Sequence, residues 1–368
     1  MRVPFLELKS AYVELKPEIE LAVARVLDSG WYIGGPEVET FERQFADYCG
    51  AAECVGVGNG LDALHLAVKA FDIGPDDEVI LCSHGYIATD LAVSLAGATP
   101  VLVEPDPATR NLDPERIAAA VSPRTKAIMP THLYGLPADI DPILQVAEKH
   151  ALVVIEDAAQ AHGASYKGRL IGGHGHAVAW SFYPTKNLGA LGDGGAVTTN
   201  DPEIAARIRR LGNYGSVRKY VHEVRGVNSR LDPLQAAVLS VKLRHLDEWN
   251  GRRAAIAERY ISAFADLPIG LPQVPNWANP AWHLFVITVP NREDIADKLA
   301  ADGVETLIHY PLPAHLQAAY ADLNLGAGSF PIAERLADEV LSIPIGPHMS
   351  DAQVEAVIAA VRNAVGQS

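Results

Sequence analysis

The chain has 368 residues and carries 45 acidic against 30 basic side chains, for a net charge of −15. That length suits one large domain plus a smaller one, and the acidic balance excludes the basic stripe of a nucleic-acid-binding surface while still permitting a locally positive pocket. No apolar run approaches the roughly 20 residues of a membrane span, MRVPFLELKSAYVELKPEIE lacks a signal-peptide core, and Cys49, Cys54 and Cys82 form no CxxC pair; a cytoplasmic protein with reduced thiols and no bound metal is expected.

From Glu53 to Asn200 the predicted elements alternate. ECVGVGNG leads into LDALHLAVKAF, and EVILCS into YIATDLAVSLAG. TPVLVEP, KAIMPTHLYG with DIDPILQVAEKH, ALVVIED, AVAWSF and GAVTTN follow. Short apolar runs between helical periods predict an α/β fold, with a mostly parallel sheet flanked by helices. Such sheets collect ligands at the carboxyl ends of their strands. Near Leu231 a long helical stretch begins, DPLQAAVLSVKLRHLDEWNGRRAAIAERYISAF, and the Pro-rich LPIGLPQVPNWANPAW breaks it. A compact unit closes the chain: strand HLFVITV, helix REDIADKLAADG, strand ETLIHY and a helix from about Ser350. The reading is a large α/β domain over 1–245 and a smaller α+β domain over 246–368.

Four groups sit where those strands should end. Lys186 follows AVAWSF and precedes a loop with Gly189, Gly192, Gly194 and Gly195. A lysine in an aromatic, glycine-lined turn is poorly placed as a solvated charge, and partial burial makes its amine a better nucleophile; a lysine merely covering apolar surface is the plain alternative. Asp157 closes ALVVIED, where a buried carboxylate needs a positive partner, although Asp also suits the N-cap of the segment that follows. Glu156 should face the other way by strand alternation. Gly58-Asn59-Gly60 and the first amides of a helix starting near Leu61 form an anion site, to which Ser181 can add a hydroxyl. Tyr86, beyond EVILC, offers a flat ring; a half-buried core tyrosine is its ordinary role. An amine, an acid, a phosphate cradle and a flat group are what pyridoxal phosphate requires of a protein. Gly56-x-Gly58 also suggests a dinucleotide turn, but Leu61 replaces the third glycine and EVILC lacks the acidic residue for a ribose.

The segments GNGLDALHLA, YIATDLAVSLAGATPV, HLYGLPADIDPI, VIEDAAQAHGA, SFYPTKNLGALGDGGAV, NYGSVRKYVHEVRGVNSRLDPLQAA and HYPLPAHLQ span nearly the whole chain in order. They resemble the DegT/StrS-type sugar aminotransferases of fold-type I architecture, closest to the branch acting on nucleotide-linked 3-keto-6-deoxyhexoses. The resemblance implies transfer of an amino group from L-glutamate to a keto carbon of a nucleotide-linked sugar, thymidine being the expected nucleotide and C3 the expected carbon. It makes Lys186 the covalent anchor and proton shuttle, sets Asp157 on the pyridine nitrogen, Gln160 near the phenolic oxygen and Tyr86 on the ring, and gives Gly60, Leu61 and Ser181 to the phosphate, beside Asn59 of the same turn. Asn228 would reach in from the partner of a homodimer with shared sites. Trp31, Tyr32, Lys219, Tyr220, Tyr310 and His315 would line the substrate cleft.

The chain departs from that pattern at several positions. Leu61 stands where Thr is common, Gly85 replaces a usual Thr, Asp90 an apolar or aromatic residue, and His176 a frequent Asp. His174 and His176 read as solvated loop histidines. Arg218, Lys219 and Arg225 are basic groups for a diphosphate, and Arg230 is expected in a structural ion pair. Alternatives are amination at C4, a nicotinamide-dependent sugar oxidoreductase, a fold-sharing sugar dehydratase (disfavoured because that subgroup has histidine at the position of Lys186) and a non-catalytic regulator.

Overall fold

The computed structural model describes residues 1–366. Seven strands form the central sheet: β1 Glu53–Val57, β2 Glu78–Cys82, β3 Thr99–Val103, β4 Thr125–Met129, β5 Val153–Asp157, β6 Ala177–Ser181 and β7 Gly195–Thr199. Their order is β1-β7-β6-β5-β4-β2-β3. β3, β2, β4, β5 and β6 pair in parallel, and β7 alone runs against both its neighbours. Six strands therefore point their carboxyl ends to one edge, and β7 starts there.

Every residue of β2, β6 and β7 is buried, which is why these strands read as continuous apolar runs rather than alternating ones. Two cores lie on opposite faces of the sheet. One packs Phe41, Phe45, Trp180, Phe182 and Leu239, with Phe45 meeting Trp180 and Phe182 edge-on at 5.2 and 5.3 Å. The other packs Val57, Leu64, Val79, Ile155 and Ile208. Asn59 starts the helix Gly60–Ala70 by accepting from the Asp62 amide at 2.9 Å, and the Ala- and Leu-rich sequence carries the helix on.

The long C-terminal helical stretch divides at Arg244–His245 into Pro233–Leu243 and Leu246–Phe264. Neither proline nor glycine marks that break; it lets Leu243 and Leu246 enter the same core. Beyond it, Phe285–Thr288 pairs antiparallel with Val340–Ile343, under the helices Arg292–Ala301 and Asp351–Gly366. ETLIHY is not the second strand. Only Leu307 in it bridges, to Ser342, and Pro311 immediately beyond has no N–H with which to extend pairing. Val3 belongs to this C-terminal core and bridges to Val304, while Trp249 packs on helices of the first unit.

Buried polar ties fasten the two units together. Glu104 of the first accepts from the Ile332 and Ala333 amides at 2.7 and 3.0 Å, capping the helix Pro331–Glu339. Arg110 donates to the Val286 carbonyl at 2.8 Å. These ties hold the C-terminal unit over the strand edge where the sequence places its reactive groups.

Candidate active site

At that edge lies a cavity of about 460 Å³, within the usual range for small-molecule sites. Asn59, Gly60, Leu61, Tyr86, Asp157, Gln160, Ser181 and Lys186 line it, joined by His283, His309 and Tyr310 from the C-terminal unit. Eight of the nine positions expected to hold a cofactor thus converge, although they lie on separate strand ends.

Asp157 closes β5, its backbone locked by the Pro130 carbonyl and the His132 amide. One carboxylate oxygen accepts from the Ala159 amide at 3.0 Å. It therefore makes the local turn that the capping alternative foresaw, and the second oxygen is left to the cavity. Burial raises its pKa above the ordinary value; the Ala159 amide and the Lys186 ammonium oppose that shift. Glu156 turns to the opposite face, where His132 Nε2 lies at 2.9 Å and the Gly175 amide at 2.6 Å. Lys186 hangs from a turn closed by its own amide on the Tyr183 carbonyl at 2.8 Å. Burial lowers its pKa to about 8, against the pull of Asp157. Its ammonium has no hydrogen-bond partner among the described residues, whereas Asp157 is held by the Ala159 amide.

The anion end is tightly built. The amides of Gly60 and Leu61 have no acceptor within the described chain, and they open a helix whose N-terminus favours negative charge. Gly60 is required by close approach: a Cβ there would stand 2.6 Å from that of Ser181. The Ser181 oxygen accepts from the Tyr183 amide at 3.3 Å, which leaves its hydroxyl hydrogen to donate. Ser229 accepts from the Gly58 amide at 2.9 Å and donates to Asp62 at 2.6 Å, pinning the turn from behind.

Tyr86, 57% exposed, lies 5.2 Å from the Tyr310 ring at a tilt of 37°. Gln160 accepts from the Tyr134 amide at 2.6 Å and donates to the Tyr310 hydroxyl at 3.0 Å. A buried acid short of a positive partner, an amine kept near neutrality, unused helix amides and two rings beside the gap fit pyridoxal phosphate.

The remaining expected residues do not enter this cavity. Trp31 and Tyr32 are exposed on the loop after Lys16–Ser29, where the Trp31 Nε1–H donates to the Ile33 carbonyl at 2.9 Å and the Tyr32 hydroxyl to that of Leu27 at 3.2 Å. Lys219 and Tyr220 cap the hairpin of Ser216–Arg218 and Val221–His222, with Tyr220 83% exposed. Asn228 is exposed, its backbone bridged to Asn213.

His315 lies apart from this cavity. It is 2% exposed and packs edge-on against Phe330, with Glu334 at 3.0 Å from Nε2, because the short turn Ala314–Leu316 tucks it under the helix that carries Glu334. His174, expected as a solvated loop histidine, is a correction: both its nitrogens are sealed without partners among the described residues, edge-on to Tyr166. His176 is exposed, with the Val154 amide donating to its Nδ1 at 3.0 Å. Arg230 is structural, but its partners are the Asn213 amide oxygen at 2.9 Å and the Tyr214 ring rather than a carboxylate. Asp90 is buried with one oxygen unpartnered. Sequence reasoning missed His283 and His309; HLFVITV and ETLIHY drew attention as strands, and nothing local marks a histidine as facing a cavity on another unit.

Comparison with known proteins agrees with this geometry. The family model described as DegT/DnrJ/EryC1/StrS aminotransferase family matches residues 13–362. The chain is 57% identical over 363 residues to the erythromycin biosynthesis sensory transduction protein EryC1 of Saccharopolyspora erythraea, covering 98% of this chain and 99% of that one. It is 55% identical to dTDP-3-amino-3,4,6-trideoxy-alpha-D-glucose transaminase of Streptomyces venezuelae (98% and 96% covered). It is 54% identical to dTDP-3-amino-3,6-dideoxy-alpha-D-galactopyranose transaminase of Aneurinibacillus thermoaerophilus (98% of each). The crystal structure of S. venezuelae DesV with a ketimine intermediate superposes with a TM-score of 0.97 at 55% identity, covering 98% of both chains. NtdA of Bacillus subtilis, solved with bound PMP, superposes at 0.93 with 32% identity, covering 100% of this chain and 86% of that one.

Proposed function

We propose that this chain, which belongs to the DegT/DnrJ/EryC1/StrS aminotransferase family, moves the amino group of L-glutamate to C3 of a dTDP-linked 3-keto-6-deoxyhexose. It is an aminotransferase, and pyridoxal phosphate is its cofactor. The observation that carries the reading is the convergence of the Lys186 amine and the Asp157 carboxylate on one cavity, each shifted by burial and each opposing the other's shift. Two relatives named as 3-amino-sugar transaminases favour C3 over C4. Their sugars differ at C4, so the C4 substituent is left for the pocket to decide.

When bound, pyridoxal phosphate supplies an electron sink for the carbon that loses its proton. Lys186 holds the cofactor through its amine and, once released, carries a proton to and from the reacting carbon; an amine with a pKa near the working pH can serve both directions. Asp157 binds the ring nitrogen and keeps it protonated. Gln160 and the Tyr310 hydroxyl face the phenolic edge, and Tyr86 covers the ring. Gly60, Leu61 and Ser181 take the phosphate. Trp31, Tyr32, Lys219, Tyr220 and Asn228 serve across a homodimer interface, since their side chains stand exposed outside their own cavity; Arg218 and Arg225 add charge for a diphosphate. The test is incubation with L-glutamate and a panel of nucleotide-linked 3-keto and 4-keto sugars, read by mass and NMR. A 3-amino dTDP-sugar is expected, and amination confined to 4-keto sugars overturns the proposal.

A further inference from the structure

Asn187, the residue after Lys186, lies in a run of hydrogen bonds whose direction is fixed at its far ends. The Asn250 amide nitrogen donates to the His162 carbonyl at 2.8 Å, a group that can only accept, so the Asn250 oxygen is an acceptor. It accepts from the Asn187 amide nitrogen at 2.8 Å, and that nitrogen also donates to the Ala281 carbonyl at 2.7 Å. With its nitrogen committed to two acceptors, Asn187 has only its oxygen left, 3.1 Å from His283 Nδ1. The imidazole proton therefore sits on Nδ1, and Nε2 keeps its lone pair. Flipping either amide would set two oxygens against each other.

That lone pair faces the active site. Lys186 lines two adjoining cavities; Asn187 lines one, whereas His283 lines the other, which also holds Asp157, so the ring edge away from Asn187 looks into the latter. Nε2 has no hydrogen-bond partner among the described residues, yet it is not sealed as both nitrogens of His162 are. Lys186, Arg253, His309 and His162 face this ring; burial first, then these cationic or titratable neighbours, keep His283 neutral.

We propose that His283 is a positioning residue for Lys186: its bare Nε2 accepts a hydrogen bond from the Lys186 amine once substrate has taken the cofactor and the released amine moves the proton. The ring has no proton to give on that edge, so it orients the amine, whose own lone pair stays directed at the substrate carbon, without competing for the proton in transfer. This rests on the reading of Lys186 as the reactive amine, which substitution of Lys186 tests separately.

Two measurements decide it. In the full chain labelled with ¹⁵N-histidine, with and without cofactor, the resonance lost in His283→Phe should report a neutral Nδ1–H ring between pH 6 and 9, within the span where unperturbed imidazoles begin to titrate at roughly 6.5. A proton on Nε2, or an imidazolium at pH 7, overturns the proposal whether or not any variant folds. In single-turnover assays of the holoenzyme, His283→Phe should slow the glutamate and sugar half-reactions by the same factor, roughly two- to tenfold for one hydrogen bond. Asn187→Ala, which keeps the ring but frees its proton, should shift the resonance toward the Nε2–H form and slow both halves likewise. Slowing of the sugar half alone assigns Nε2 to a sugar hydroxyl and sinks the proposal, as do unchanged rates.

Discussion

The cavity beneath Lys186 and the loops carrying Trp31, Tyr32, Lys219 and Tyr220 differ in how much of their order one chain supplies. Around Lys186 and Asp157, strand ends fix the backbone, a pinned turn offers its amides, and the C-terminal unit closes the gap under the Glu104 and Arg110 ties. On the loops, large aromatic side chains stand in water, held only by local contacts such as Lys219 over its neighbour Tyr220 at 5.2 Å. Chemistry needs preorganised groups whose charges are tuned by burial. On the proposed function, specificity falls to a surface whose exposed aromatic groups are available for burial against a second chain. Changes in the first region should therefore act on rate and cofactor, and changes in the second on the affinity of the sugar alone.

The strongest way to break that division is Lys186→Ala. Transamination should fall by at least ~10³-fold, as when the group that moves the proton is removed, together with the visible absorbance of the bound cofactor. Turnover near the parental rate would place the chemistry elsewhere. Asp157→Asn comes next, with a loss of about 10- to 100-fold, the worth of one charge-assisted hydrogen bond. Both half-reactions should slow together, because the acid acts on the cofactor and not on either substrate; slowing of only one would merge the two regions.

The ease of reading these regions from sequence follows the same line. Lys186, Asp157 and the Asn59–Leu61 turn were legible because each ends an apolar strand run, and strand ends share an edge in a parallel sheet. His283 and His309 were not, since reaching that edge depends on how a second unit docks. His315 fell among the cleft residues by resemblance, yet its position is set by Glu334, 19 residues along, which no local pattern reveals. The strand Val340–Ile343 escaped because it is four residues long and directly follows a helix. Periodicity favoured ETLIHY, but Pro311 and the turn of His309 and Tyr310 toward the cavity leave it a single bridge.

On the loop side, Lys219→Ala should raise the KM for the nucleotide sugar roughly three- to tenfold, as expected for one exposed cation on a diphosphate. The effect should shrink as salt is added, and the glutamate half-reaction should keep its rate. A fall in that half-reaction would show that the hairpin supports the chemistry as well. Steady-state measurements at two salt concentrations with each substrate varied in turn distinguish these outcomes.

The smallest effect probes the buried region through pH. The Lys186 amine titrates near 8 instead of the ordinary 10.5, and only its neutral form can bond the cofactor aldehyde. Burial lowers the value by disfavouring the ammonium, so capture of pyridoxal phosphate by the cofactor-stripped chain should rise about tenfold from pH 7 to 9 and level off above about pH 9, where a solvated lysine would go on rising past pH 10. Asp157 pulls in the other direction by stabilising the ammonium. Asp157→Asn should therefore move the plateau to lower pH and speed capture at pH 7 by a few-fold, even as it slows turnover. Stopped-flow absorbance of both proteins across that range reads the two signs independently. If Asp157→Asn instead shifts the plateau upward, the carboxylate and the amine do not share one electrostatic environment, and the distinction between an internally tuned site and an unfinished surface loses its basis.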